Sequence, residues 1–257
     1  MYLEGVCNPL LGPSLYENAG NKAQNGVPPI MECEIIYVGD PMCSWCWGFS
    51  PVLNKIIKKY SNAAPTRLVV GGLHAFDTDP MSDEYKARIK HHWEQVAEAT
   101  GQPFNYAFFD REGFVLDTEP ACRASVVVRN IKPDALMPFY ERIHKGYYLE
   151  NMDTTKLETF EQYAEAEGID AKTFTTVFES EEAKQETIND FAWCQQAGVA
   201  GFPTMVLRED EALCALSVGY QPFDSLQPIL DAWVSGELSI KKQVELARAA
   251  GNPVTTH

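Results

Sequence analysis

The sequence predicts an α/β chain of order β-α-β … β-β-α, with a large all-helical insertion between its two halves. Three observations carry that reading. Near the start, the apolar run Ile35-Ile36-Tyr37-Val38 precedes Phe49, Val52, Leu53, Ile56, Ile57 and Tyr60 at helical spacing, and a second apolar run, Thr66 to Val70, follows. From about residue 81 to 197 the pattern is helical throughout. After that, two strand-like runs, Thr204–Leu207 and Ala212–Val218, flank the polar stretch Arg208–Glu211, as in a hairpin, and an amphipathic helix closes the pattern.

The elements follow in order. Residues 1–31 are rich in Gly, Asn and Pro and read as a weakly ordered arm. A buried strand spans 34–39. The first helix runs from about Ser44 to Tyr60, with Pro51 expected to kink it and Lys55, Lys58 and Lys59 complementing the dipole at its end. Gly71-Gly72 closes the second strand, which should lie parallel to the first across a right-handed crossover. Insertion helices are expected at 81–100, 119–130 (with Pro120 in its first turn), 135–147, 155–167, 171–178 and 182–197. The closing helix covers 223–238, with Leu226, Ile229, Leu230 and Trp233 on one face. The expected organisation is therefore a core of 32–75 and 198–240, an insertion of 76–197, and a tail of 241–257.

Bulk properties narrow the function. A chain of 257 residues with 45% hydrophobic content can bury a sizeable core. Its formal net charge of -15 disfavours nucleic acid or an anionic membrane as partner. No basic-then-apolar leader and no bilayer-length apolar run is visible, so the chain reads as cytoplasmic. Seven cysteines, an odd number scattered over a long chain, do not resemble a structural disulfide framework.

Two of those cysteines stand apart. Cys43-Ser44-Trp45-Cys46 lies where the first strand gives way to the first helix. A helix start offers unpaired N–H groups and the positive end of the macrodipole, which both favour thiolate over thiol. Cys43 is expected to be the exposed attacking thiol, and Cys46, one turn inside, the shielded resolving thiol. Ser44 adds a hydroxyl dipole; Trp45 adds flat apolar surface for a substrate chain. The alternative for the pair is half of a zinc site. Cys33, Cys122, Cys194 and Cys214 are singletons, however, and the adjacent His91-His92 would point in different directions on a helix, so no metal is expected.

The local sequence resembles the DsbA family of thioredoxin-fold proteins, most nearly its FrnE-like branch of predicted cytoplasmic protein-disulfide isomerases. Four stretches carry the likeness: Asp40-Pro41-Met42-Cys43-Ser44-Trp45-Cys46-Trp47-Gly48, Gly71-Gly72-Leu73, Thr118-Glu119-Pro120-Ala121-Cys122-Arg123-Ala124 and Gly201-Phe202-Pro203-Thr204. It spans roughly residues 34–240. The resemblance implies a thioredoxin fold capped by the helical insertion, and a cis proline at Pro203 that faces the thiol pair. Such a proline donates no N–H and turns the Phe202 backbone outward, leaving an edge for an extended peptide. Catalysis is therefore expected from Cys43 and Cys46, and substrate binding from Trp45, Phe202, Pro203 and Thr204.

Other positions are open to two readings. Asp40 is read as a turn residue ahead of Pro41, with a proton acceptor near the thiols as the alternative. Trp47, Phe49 and Phe202 line a groove or fill the core. His74 sits at a strand end. Tyr147-Tyr148 face either the active site or the solvent boundary. Cys122 and Cys194 read as buried, and Glu119-Pro120 as a helix start. The leading function is thiol–disulfide exchange on protein or small-molecule disulfides and dithiols, with no cofactor beyond glutathione as a conceivable co-substrate. Kappa-class glutathione transferases and 2-hydroxychromene-2-carboxylate isomerases resemble this architecture too, but generally carry serine at the position of Cys43. A non-catalytic metal-binding or chaperone role is the third reading.

Overall fold

A computed structural model describes residues 8–9 and 33–249; the expected N-terminal arm falls largely outside them. Among the described residues, strands β1 (Asn8–Pro9), β2 (Cys33–Gly39), β3 (Thr66–Val70), β4 (Thr204–Glu209) and β5 (Ala212–Val218) form one mixed sheet, in the order β1-β5-β4-β2-β3. Ile35 N–H donates to the Pro65 carbonyl and Gly71 N–H to the Gly39 carbonyl, so β2 and β3 advance together and are parallel. β4 runs antiparallel to both β2 and β5. This is the thioredoxin fold with a helical insertion expected from the pattern.

The chain divides into two compact units. The first contains residues 1–38, 52–69 and 192–257. Its core joins Ile36 and Val38 of β2, Val69 of β3 and Val206 of β4 to Trp193, Cys194 and Ala197 at the end of a helix, with Phe202 packed alongside. Ile35 and Tyr37, on the other face of β2, are equally buried, which is why this strand reads as a continuous apolar run rather than an alternating one. The hairpin turns at Asp210, whose φ of 53° lies in the left-handed region that aspartate tolerates. Helix α8 (Phe223–Val234) is shorter than expected, and α9 (Ile240–Ala249) forms within the stretch expected to be a tail. The carboxylate of Glu209, at the end of β4, explains α9: it accepts the Ile240 N–H at 2.7 Å and the Ser239 hydroxyl at 2.7 Å, satisfying the start of the helix from a distant strand. Cys214, on β5, is disulfide-bonded, whereas the seven cysteines of the sequence do not resemble a structural disulfide framework.

The second unit contains residues 39–51 and 70–191, so the dithiol segment and the Gly71-Gly72-Leu73 loop group with the helices rather than with the sheet. Its helices are α2 (Asp83–Thr100), α3 (Glu119–Ile131), α4 (Leu136–Tyr148), α5 (Leu157–Ala166), α6 (Ala171–Phe178) and most of α7 (Glu181–Gln196). Short 3-10 turns occur at Tyr106–Asp110 and Pro133–Ala135. Capping defines α2 at both ends: Ser82 accepts the Tyr85 N–H, and Gly101 closes the helix at φ 75°. Within the unit, Arg129 grips Asp190 through two hydrogen bonds of 2.8 and 3.2 Å, and Asp190 also accepts the Val70 N–H at 3.0 Å. One buried carboxylate thus joins α3, α7 and the end of β3. Helix α1 (Ser44–Tyr60) is shared, its residues up to Pro51 counting with this unit.

Candidate active site

The turn Asp40–Cys43 delivers the first sulfur to helix α1. Cys43 N–H donates to the Asp40 carbonyl, and the Cys43 carbonyl accepts the Trp47 N–H at 3.0 Å. Cys43 is therefore the N-cap of α1, and Cys46 lies one turn inside it, at the third helical position. No acidic residue occupies the first turn, so nothing there opposes the positive end of the helix. Neither sulfur is in a disulfide. Cys43, expected to be exposed, is 5% exposed, and Cys46 is fully buried. The turn that carries Cys43 is itself buried, Asp40 completely and Met42 to 4%. Ser44 and Trp45, between the sulfurs, are the half-buried part of the motif.

Pro51 removes one N–H from α1 and leaves the Trp47 carbonyl without its helical donor. Two side chains replace it: the Ser50 hydroxyl donates to that carbonyl at 2.8 Å and the Gln102 amide at 3.1 Å. The Trp47 indole N–H donates in turn to the Pro103 carbonyl at 3.0 Å. Its ring stacks on Tyr148, with centroids 6.1 Å apart and planes 9° apart, and meets His144 edge-on at 6.0 Å. Trp47 thus ties the first turns of α1 to α4 and to Pro103. Tyr148 is fully buried and faces this site rather than a solvent boundary; its hydroxyl is pushed well above its ordinary pKa by burial first, then by Tyr147, Cys43, Asp40 and Cys46.

Asp40 is the centre of the polar part. One carboxylate oxygen accepts the Met42 N–H at 2.8 Å; the other accepts the Leu73 N–H at 2.7 Å and faces the Cys122 thiol at 3.5 Å. The Thr118 hydroxyl donates to the same carboxyl and accepts the His74 N–H at 3.1 Å. Burial raises the Asp40 pKa, and these four donors pull it back down. Cys122 also receives the Gly72 N–H, and burial lifts its thiol well above the ordinary range. His144 is buried against Tyr140 at 4.6 Å, and burial lowers its pKa to about 4, partly opposed by the main-chain carbonyl of Asp40. Sequence reasoning treated Thr118, Cys122 and Asp40 separately. Their convergence depends on a contact across 82 residues, and the only sequence signal for it was the co-occurrence of the two motifs.

The remaining expected site residues belong to the first unit. The Phe202–Pro203 peptide bond is cis. Pro203 is buried, and its carbonyl accepts the Gly219 N–H at 2.7 Å. Phe202 is partly buried against the sheet core. Thr204 is 1% exposed, and its hydroxyl donates back to the Gly201 carbonyl at 2.8 Å. Among the described residues no group of three or more His, Cys, Asp and Glu side chains could hold a metal ion. His74 is engaged by the Tyr85 hydroxyl at 3.1 Å and by Asp77 at 3.3 Å.

Residues 34–231 match the family model described as the DSBA-like thioredoxin domain. The chain belongs to that family. A solved structure from Nitrosomonas europaea, described as a "putative protein disulfide isomerase", is 38% identical, with a TM-score of 0.76 over 80% of this chain and 100% of that one. The cytosolic disulfide reductase DsbM of Pseudomonas aeruginosa is 24% identical, with a TM-score of 0.66 over 79% of this chain and 98% of its own, a likeness of fold. Among curated proteins, the ClpXP adapter protein SpxH of Halalkalibacterium halodurans is 24% identical over 212 residues, 80% of this chain; the chain spans 65% of that relative's length.

Proposed function

We propose that this DsbA-like protein is a thiol–disulfide oxidoreductase in which Cys43 attacks and Cys46 resolves. The observation that carries the reading is the pair of cysteines, outside any disulfide, at the N-cap and third position of α1, with no carboxylate in the first helical turn. Cys43 sulfur bonds to one sulfur of a substrate disulfide, the substrate S–S bond breaks, and the departing thiolate takes up a proton. Cys46 sulfur then bonds to Cys43 and expels the second substrate thiol. Two electrons pass from the protein dithiol to the substrate, and the reverse sequence oxidises a dithiol. Disulfide isomerisation uses the first step and its reversal on a different sulfur.

Trp45 offers an apolar surface beside the reactive sulfur, and the backbone around Phe202 and Pro203 offers an edge for an extended chain. Glutathione is the proposed source of reducing equivalents, a reading supported by a DsbM structure that contains GSH. The working compartment is proposed to be the cytoplasm, as the name of DsbM suggests for that protein. No helix among the described residues is long and apolar enough to cross a membrane.

The test is a trap. Cys46→Ser should accumulate mixed disulfides through Cys43, visible as adducts that dithiothreitol removes, and should lose insulin-reduction activity. Wild-type activity in that variant, with no adduct, would end the two-cysteine mechanism.

A further inference from the structure

Cys214 lies on β5, is 1% exposed and is disulfide-bonded. The sequence holds seven cysteines, and Cys33, Cys43, Cys46, Cys122 and Cys194 are all outside any disulfide. Within the chain that leaves Cys7, which immediately precedes the described residues Asn8 and Pro9. Those two residues are β1, which pairs antiparallel with β5, Asn8 opposite Ala215 and Pro9 opposite Cys214. Side chains return to the same face at every second residue of a strand. This register, continued by one residue, therefore sets position 7 on the face of Pro9 and Cys214, as a diagonal neighbour of Cys214. The cysteine count and the strand register are independent, and they meet at the same two positions.

We infer that Cys7 and Cys214 form a second, redox-responsive disulfide that staples the N-terminal arm to the edge of the sheet. The staple is distinct from the exchange mechanism: β1 and β5 belong to the first compact unit, and the Cys43–Cys46 segment belongs to the second. Without a covalent link the hold on the arm is slight. β1 is two residues long, shorter than an ordinary strand, and Pro9 has no N–H to donate. In closing the bond, two thiols give two electrons to oxidised glutathione. A sulfur–sulfur bond forms between positions 7 and 214, the glutathione S–S bond breaks, and two protons pass to the two glutathione thiols. Reduced glutathione reverses the sequence. A reducing cytoplasm, the compartment proposed above, keeps such a bond open, and an oxidising shift closes it. The closed form rings about two hundred residues and fixes an otherwise weakly tethered segment. In the open form two residues of pairing do not hold the arm, and the outer N–H and C=O groups of β5 turn to water. The occupant of this sheet edge is thus the chain's own first segment.

Peptide mapping tests the bond. The full-length protein is equilibrated with oxidised glutathione, denatured, alkylated with iodoacetamide without reductant and cut with trypsin. The expected product joins fragments 1–22 and 209–241 and is split by dithiothreitol. An alkylated Cys214, or fragment 209–241 joined to any other fragment or to itself, overturns the pairing. A joined product that persists in excess reduced glutathione overturns the redox response. Hydrogen exchange read by NMR tests the staple. Opening the bond with dithiothreitol, or removing it by Cys7→Ser, is expected to speed exchange of the β5 amides paired with β1 about tenfold, with the β2 amides of 35–38 unchanged. Cys7→Ser keeps Cys43 and Cys46, so it separates this bond from the dithiol. Equal β5 exchange in wild type and variant under oxidising conditions refutes the staple even where the bond is found.

Discussion

Replacing His144 by glutamine should remove a defined part of the protein's acid sensitivity. The imidazole is buried on α4 between Tyr140 and Trp47, and burial lowers its pKa from 6.5 to about 4. The unfolded chain therefore binds a proton that the folded chain rejects throughout the interval between those values. Stability from this group is fully present above pH 6.5 and is lost as the pH falls toward 4. For one group with these two pKa values, linkage gives a loss of about 2 kcal/mol between pH 7.5 and pH 5, and about 3 kcal/mol in the acid limit. Asp40 and Glu119 push the other way, because burial raises their pKa values and their protonated forms suit the folded state. They are present in both proteins, so the comparison between wild type and variant isolates the histidine. Urea unfolding followed by circular dichroism at the two pH values is the assay. His144→Gln should lose about 2 kcal/mol less than wild type on acidification. Parallel pH dependences in the two proteins would show that the imidazole is not held neutral, and the account of this pocket would be wrong.

Two further substitutions test the frame around the site. Asp190→Asn breaks the two-pronged grip of Arg129 while keeping the side chain's size. With Asp190 3% and Arg129 23% exposed, a loss of about 3 kcal/mol is expected in urea denaturation, and a cost under about 0.5 kcal/mol would mean the pair is idle. Gly146→Ala in α4 would bring a Cβ within 1.9 Å of the Tyr163 hydroxyl oxygen and 2.8 Å of its ring, so a buried ring must move. Overpacking of about 1–3 kcal/mol should exceed the helix-propensity gain of about 1 kcal/mol and lower the melting temperature; a higher melting temperature would contradict the packing described.

What could be read from the sequence was what depends on neighbours along the chain. Helix α3 begins at Glu119 with Pro120 in its first turn, as its composition indicates, and α6 keeps its expected limits of 171 and 178. The thiol pair is legible for the same reason: strand, turn and helix start are consecutive. Features built across distance were not legible. Helix α9 depends on Glu209, about thirty residues upstream, and the burial of Cys43 depends on the packing of the whole Asp40–Cys43 turn. Asp40 shows the difference most directly. Its turn role, the Met42 N–H bond two residues on, was readable, whereas its bonds to Leu73 and Cys122 required the fold. That the Thr204 side chain is buried was likewise not legible, because a motif names a neighbourhood without saying which side chains point inward.

Residues 39–51 count with the helical unit, although in sequence they merely continue strand β2 into helix α1. A substitution at His144 or Tyr148 of α4 therefore reaches the surroundings of the Cys43–Cys46 segment from within one compact unit.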